Sequence, residues 1–359
     1  MILTIIIAFF SLIGLLVIHE FGHFIIAKKF GVRVDEFGIG YPPRLFGKKI
    51  GQTFYSVNLL PFGAFVKMKG EEKRQEAKDS FSSQSVLKRI LIVLGGVISF
   101  WVVSFILFSF VFGLGAPVAV GDSQDPSLKD PRVQVAAVAS HSPAQEAGLR
   151  VGDTIKEFKV GQEEFKIDKI KNLQELSQRY KGQEAVLTIE RGKQSLEIPI
   201  FLRESPPQGQ GPIGVALART AIKSYPWYQA PWQGMKATFN MTVAIVQGYV
   251  QVIKNLVKSK PAGVELVGPV GVMNLFAQAG QLGAVYFIQF VGIIALYLAI
   301  FNILPIPAVD GGRALFLIIE GLFRRPIPEK VEQNINTAFF GLLIILMVWV
   351  TIKDISRIF

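Results

Sequence analysis

Long stretches of the chain carry no charge at all, and the charged residues crowd between them. No Asp, Glu, Lys or Arg occurs in 1–18, 90–121, 266–309 or 333–352. A hydrocarbon core about 30 Å thick needs about 20 apolar residues as helix. The blank stretches therefore predict four membrane spans, roughly 3–27, 90–114, 286–308 and 336–352. A different pattern occupies 235–257. Met235, Phe239, Val243, Val246, Val250, Ile253 and Val257 recur at steps of three and four, with Lys236, Asn240, Gln247, Gln251, Lys254 and Lys258 on the other side. This periodicity predicts an amphipathic helix that lies in the interface or packs on a domain. A fifth span there would reverse every later segment.

Between the first two spans, 37–40 and 53–67 read as extended. Thr53, Phe54, Tyr55, Val57, Phe65 and Val66 favour strands, and Pro42-Pro43, Gly47, Pro61 and Gly63 supply turns. A small sheet against the inner face of the membrane is expected. The stretch 118–204 reads as a globular β-rich domain with a helix at 171–180. Within it, Ser142-Pro143-Ala144, Ala147-Gly148-Leu149 and Gly152-Asp153 resemble the signature of bacterial PDZ domains, which bind peptides by adding a strand to a sheet edge. His141, just before this motif, is expected to be a solvated loop residue.

The expected fold is thus an α-helical multi-pass membrane protein with four transmembrane helices, a membrane-associated β-hairpin or sheet, and an extracytoplasmic β-rich PDZ domain. The first helix takes 1–36, the β-region with its basic loop 37–89, and the second helix 90–114. The PDZ domain takes 115–210, and an amphipathic helix with connector 211–285. The third helix takes 286–312, and a loop with the fourth helix 313–359.

Composition sharpens this picture. Of 359 residues, 50% are apolar and 18% charged, against roughly 25% charged in soluble domains. An ordinary cytosolic enzyme, a disordered chain and a secreted disulfide scaffold are excluded. There is no cysteine, so a metal site must use His, Asp or Glu. The net charge of +11 is concentrated in 28–89, which holds 13 Lys and Arg against 6 acidic residues, whereas 115–285 holds 19 against 15. A basic segment between two spans follows the positive-inside rule. It places 28–89 in the cytoplasm, and the N-terminus, 115–285 and the C-terminus outside the cytoplasmic membrane. No nucleic-acid recognition motif accompanies the charge, so nucleic acid is not an expected partner. The first span has no basic residue before its apolar run, unlike a secretory signal.

Chemistry concentrates in that span. His19-Glu20-Phe21-Gly22-His23 has the form H-E-x-x-H, and two of the chain's three histidines fall in it. Residues i and i+4 share a helix face, so both imidazoles can reach one metal ion with Glu20 beside it. From the chain's own composition a chance match is expected roughly 0.002 times. Three ionisable groups on one turn at membrane depth cost several kcal/mol unless compensated, and a divalent cation compensates them. Catalytic zinc usually takes a third protein ligand. An astacin-like extension would need Gly and His where Ile26 and Lys29 stand, and 37–70 offers no downstream Glu of the thermolysin type on a helix. Asp310 fits instead. It ends the third apolar stretch in a run broken by Pro305, Pro307, Gly311 and Gly312, which membrane proteins tolerate where protein or water satisfies the freed backbone. With four spans, the first and third both run inward and bring the two motifs to similar depth.

These features together resemble the site-2 intramembrane metalloproteases, nearest to the bacterial type that cleaves the membrane anti-sigma factor of the sigma-E stress response. The resemblance covers essentially the whole chain. It rests on the H-E-x-x-H, the PDZ-like motif, the run from Asn302 through Pro305 and Pro307 to Asp310-Gly311, and also on Phe62–Lys67 and Gly268–Gly271. It implies that His19, His23 and Asp310 ligate Zn2+, that Glu20 is the catalytic acid/base, and that Asn302 helps hold the substrate. It implies that the strands in 37–67 form a membrane-associated hairpin contacting that substrate. The expected partners are the lipid bilayer and single-pass transmembrane substrates, such as an anti-sigma factor after a first cleavage or signal-peptide remnants. The best-known members carry two PDZ domains, and 115–210 has room for one. The competing reading is a non-enzymatic PDZ scaffold with a structural metal, in which Glu20 has no task. A transporter with an ion-binding broken helix would show an internal repeat, and the chain shows none.

Overall fold

The structure, a computed structural model, describes residues 2–358 apart from 72, 123–128, 140, 193, 208 and 259–266. In chain order the elements are α1 (Ile2–Lys29), β1 (Val34–Ile50), β2 (Thr53–Met68), α2 (Val86–Leu114), β3 (Ala116–Ala119), β4 (Lys129–Val138), α3 (Pro143–Glu146), β5 (Thr154–Val160), β6 (Glu163–Lys166) and α4 (Ile170–Arg179). They continue with β7 (Glu184–Arg191), β8 (Gln194–Phe201), β9 (Val215–Lys223), α5 (Ala230–Val257), α6 (Pro269–Leu282), α7 (Ala284–Ile303), α8 (Asp310–Phe323) and α9 (Glu329–Ile358). The chain folds as two compact units, one of Met1–Phe110, Pro231–Ala277 and Ile288–Phe359, the other of Val111–Ala230 with Gln278–Phe287.

Among the described residues, four helices are long and apolar enough to cross a membrane: Leu3–Lys29, Val86–Leu114, Ala284–Ile303 and Glu329–Ser356. These are the four expected from the uncharged stretches. In the first unit, Leu15, Val97, Phe100, Ala295 and Ala299 join α1, α2 and α7 in one core. A second core joins the ends of α1 and α2 to the β-region and α8 through Ala27, Val32, Val34, Met68, Ile92 and Leu317.

The third apolar stretch differs from expectation. Its helix stops at Ile303, and Asp310 opens a separate helix, α8, where the sequence suggests the end of a span and then a loop. Pro305 and Pro307 lack the N–H groups that would continue α7. Gly311 and Gly312 then let the chain fold back tightly. A Cβ on Gly311 would lie 2.2 Å from the Leu304 carbonyl oxygen, and one on Gly312 2.2 Å from that of Ile306.

The amphipathic helix is present as α5, but its packing face is not the apolar stripe. Met235, Phe239, Val243 and Val250 are exposed, while Thr238 and Ile245 are buried. Gly234 closes on Ser109, and Thr242 accepts a hydrogen bond from the Trp101 indole N–H at 3.1 Å, so α5 runs antiparallel along α2. In lipid, apolar side chains gain little by turning inward, and close helix contact uses small residues.

Strands β1 and β2 are each bent upon themselves. Residues 36–39 meet 64–67 (Glu36↔Lys67 to Ile39↔Ala64) and also 54–57 (Glu36↔Phe54 to Ile39↔Val57), and 44–50 meet 53–58. Residues 54–57 are thus flanked on both sides, and 60–68 forms a free edge among the described residues.

The second unit is built on a seven-stranded sheet of order β3-β9-β4-β5-β7-β8, with β6 on β5. Val133, Ile155, Phe158, Leu173, Leu187 and Ile189 are buried between the sheet and α4. The turn motif seen in the sequence is structural here. Ser142 caps α3 by accepting from Gln145 N, Gly148 and Gly152 take φ of +77° and +93°, and buried Asp153 accepts from Arg150 N at 2.8 Å and from the Arg191 guanidinium at 2.7 Å. The domain boundary expected at 210 is corrected. Val215–Lys223, assigned to the connector, is the strand β9 inside the sheet, paired with β4 from Ala137↔Ala216 to Arg132↔Thr220. Its burial does not alternate cleanly, and its partner lies about eighty residues earlier, so local pattern hides it. Part of the expected connector, 259–266, lies outside the described residues.

Candidate metal centre

Helix α1 places His19 and His23 one turn apart, and both are buried at 8% exposure. Helix α2 forms the wall behind them with residues at steps of four. The Ile92 carbonyl accepts from His23 Nδ1 at 2.9 Å. A carbonyl can only accept, so Nδ1 carries the proton and the lone pair of a neutral ring lies on Nε2. The His19 ring stacks on Phe100 with centroids 4.7 Å apart and planes at 19°. Between these contacts Gly96 presents no side chain, and a Cβ there would lie 2.3 Å from His23 Nε2 and 2.7 Å from His19 Cε1. The helices touch by backbone at Gly22 and Gly95, where a Cβ on Gly22 would meet the Gly95 oxygen at 2.3 Å.

Asp310 arrives from α8. Its Oδ2 lies 3.2 Å from His19 Nε2 and 3.4 Å from His23 Nε2, and the two Nε2 atoms are 3.3 Å apart. Asp310 Oδ2 is buried without a hydrogen bond of ordinary geometry. Three atoms with lone pairs thus face one point. A tetrahedral ion held at 2.0–2.1 Å sets its ligands about 3.3–3.4 Å apart, so the observed triangle fits such an ion. The residues the sequence nominated as ligands are the ones that converge.

Glu20 is half-buried beside the triangle, with its carboxylate in electrostatic reach of His23, His19 and Asp310. Asn302 lies in the last turn of α7, and its amide donates to the Leu298 carbonyl at 2.9 Å within its own helix. The structure shows no bond from Asn302 to the triad among the described residues. His141 is exposed, at φ +54°.

Two neighbouring cavities lie here, and Asp310 lines the smaller. One of about 420 Å³ is lined by Ala308, Asp310, Arg313, Asn336 and Phe340, among others. The other, of about 730 Å³, shares Arg313 and Asn336 with it and reaches Phe65–Lys67 on the free strand edge. Its walls carry paired charges. Arg313 binds Glu71, while Arg89 and Arg74 donate to Glu320 at 2.7 and 3.1 Å.

Sequence reasoning missed Ile92, Gly96, Phe100 and Asn336. The available signal was a Gly95-Gly96 pair in an otherwise bulky apolar helix, with the other two wall residues four positions to either side of Gly96.

The sequence model of peptidase family M50 matches residues 7–346. The chain is a member of peptidase family M50. It is 36% identical over 361 residues to a protein of Clostridium perfringens named as a candidate zinc metalloprotease, covering 98% of each chain. It is 29% identical to a protein of the same description from Campylobacter jejuni, with 96% of this chain and 91% of that one covered. A chloroplastic protein of Arabidopsis thaliana, named as a candidate membrane metalloprotease, is 28% identical over 96% of this chain and 78% of its own. For this M50 member the histidine pair, Glu20 and Asp310 all lie inside the matched region.

Proposed function

We propose that this M50 member is a zinc metalloendopeptidase that hydrolyses a peptide bond within or near a transmembrane segment of a membrane protein. One observation carries the reading: His19, His23 and Asp310, from two separate helices, bring three ligating atoms to within 3.2–3.4 Å of one another among apolar spans, with Glu20 alongside. The relatives named as zinc metalloproteases support zinc as the ion, as does a His₂Asp donor set without cysteine. When bound, zinc would lower the pKa of a water to about 7 and polarise a carbonyl.

The chain's own residues do the rest. Ile92 fixes the His23 tautomer and Phe100 the tilt of His19. Glu20 takes the proton from the attacking water and delivers it to the leaving amine. Asn302 has a side-chain oxygen left for the substrate backbone while its amide is held by Leu298. Glu20→Gln is expected to leave zinc content unchanged and to lower cleavage of a reconstituted single-pass substrate about 10²–10⁴-fold. Retained cleavage removes Glu20 from this role. Zinc bound by the parent with no proteolysis favours a scaffold with a structural metal.

A transmembrane helix must unwind before attack, and a strand edge can hold the unwound segment by main-chain pairing. The sequence suggests such an edge within the 53–67 hairpin, with proline along 54–58 as its probe. Residues 54–57 are paired on both sides; of the two stretches paired on one side only among the described residues, 44–50 and 60–68, the second lines the larger cavity through Phe65–Lys67 and is the edge in view. Proline at Phe65 and, separately, at Val66 removes an outward N–H in one of the two cases and should slow cleavage there. Equal rates in both variants and the parent defeat edge pairing.

The remaining orientation follows from charge. The basic 28–89 segment faces the cytoplasm of a bacterial inner membrane, and the second unit is an extracytoplasmic PDZ-like domain. In support of a peptide-binding edge, β9 pairs with β3 over Thr220–Lys223, and 215–218 has no strand partner on that side among the described residues. The substrates in view are single-pass proteins, such as an anti-sigma factor after a first cut, or signal-peptide remnants.

A further inference from the structure

The geometry points to Asn336 as a positioning residue of the metal centre: by accepting the Ala308 amide, its side chain fixes the turn that brings Asp310 to the two imidazoles. The inference rests on the triad being a metal site.

Ala308 sits at φ +75°, a region that residues other than glycine seldom adopt. Two residues later α8 begins, and its N-cap Val309 supplies no side-chain hydrogen bond. The local sequence therefore offers the turn neither a permissive residue nor a cap. Of its backbone bonds, Ile306 N to Leu304 O is short at 2.7 Å, while Val309 N to Ile306 O, the one next to Ala308, is stretched to 3.3 Å.

The missing restraint comes from far along the chain. Ala308 N donates to Asn336 Oδ1 at 3.1 Å, across 28 residues, from α9. Asn336 is half-buried and lines the same cavity as Asp310. Helix α9 is also held at its two ends, where Glu329 Oε1 accepts from Arg74 N at 2.9 Å and Asp354 Oδ2 from Gly271 N at 2.7 Å, but neither bond involves the turn at Ala308. Asn336 is thus a specific tie between this helix and the backbone that aims the carboxylate. Without it, Ala308 relaxes toward negative φ and Asp310 Oδ2 moves off the point it shares with the histidines.

The test uses the full-length protein in detergent, stripped of metal, with zinc affinity read by competition against a chelating indicator. Asn336→Leu should bind zinc about three- to tenfold more weakly than the parent, the loss of one hydrogen bond. Ala308→Gly alone should bind as the parent does. In the Ala308→Gly, Asn336→Leu double variant the loss should shrink, because glycine holds positive φ without help. Parent-like affinity in Asn336→Leu overturns the proposal. So does an equal loss in Asn336→Leu and the double variant, which marks Asn336 as general packing. If the parent takes up no zinc, the metal reading fails, and this proposal with it.

Discussion

Gly96→Ala is the most informative single change in the α2 wall. The added Cβ would stand 2.3 Å from His23 Nε2, 2.5 Å from His23 Cε1 and 2.7 Å from His19 Cε1, where ordinary contact begins at 3.4 Å. The space is short by about 1 Å, and neither side yields freely. Helix α2 cannot shift closer elsewhere, because Gly22 and Gly95 already touch by backbone. The rings cannot turn without giving up the His23 bond to Ile92 or the His19 stack on Phe100. The triangle must therefore open by a few tenths of an ångström or more, beyond the about 0.2 Å that a metal site tolerates. We expect zinc affinity to fall about 10- to 100-fold, as when other groups behind metal ligands are altered. Cleavage should fall about 10²-fold, and overpacking should cost about 1–3 kcal/mol of stability. Gly14→Ala is the matched control. It lies in α1 with nothing within 4 Å of its added Cβ, so affinity and cleavage should stay at parent values. Chelator competition, metal content and cleavage of a reconstituted substrate read the three quantities. Undiminished zinc affinity and cleavage in Gly96→Ala would show that the close approach of α2 does not shape the site.

Two further outcomes test the charged surroundings. Glu320→Gln leaves Arg89, 8% exposed at its side chain, without its carboxylate partner. Breaking such a pair should lower stability by about 3 kcal/mol, read as thermal unfolding in micelles, and an unchanged melting point contradicts the role given to the pair. The Lys69 ammonium, 2.7 Å from Asp79, holds that exposed carboxyl below its ordinary value of 3.8. A depressed carboxyl stabilises the fold above its unfolded pKa, and that contribution is lost as pH falls through the folded one. In Lys69→Met the NMR titration midpoint of Asp79 should rise toward 3.8, and a midpoint that does not move removes Lys69 as the cause.

Much of this was legible before any coordinates, and the reasons are physical. Spans announce themselves by composition, because a bilayer excludes charge over a fixed thickness. The pair His19 and His23 was legible because a helix puts i and i+4 on one face whatever surrounds it. The apolar stripe of α5 was equally visible, yet it pointed the wrong way for packing. Periodicity reports which face is greasy, and only neighbours decide whether grease meets protein or lipid. Strand β9 escaped because its signal is shared with β4, far away in sequence.

The amino-acid order alone therefore determined the membrane class, the four apolar helices, the metal-binding half-site on α1 and the nomination of Asp310. The tertiary structure decided what no local pattern contains. Asp310 opens its own helix, Gly96 makes room for two imidazoles, 60–68 forms a free strand edge among the described residues, and Asn336 reaches the turn at Ala308. The first group depends on residues within a turn or two of each other or on bulk transfer to lipid. The second depends on distances between segments tens to hundreds of residues apart, which only packing sets.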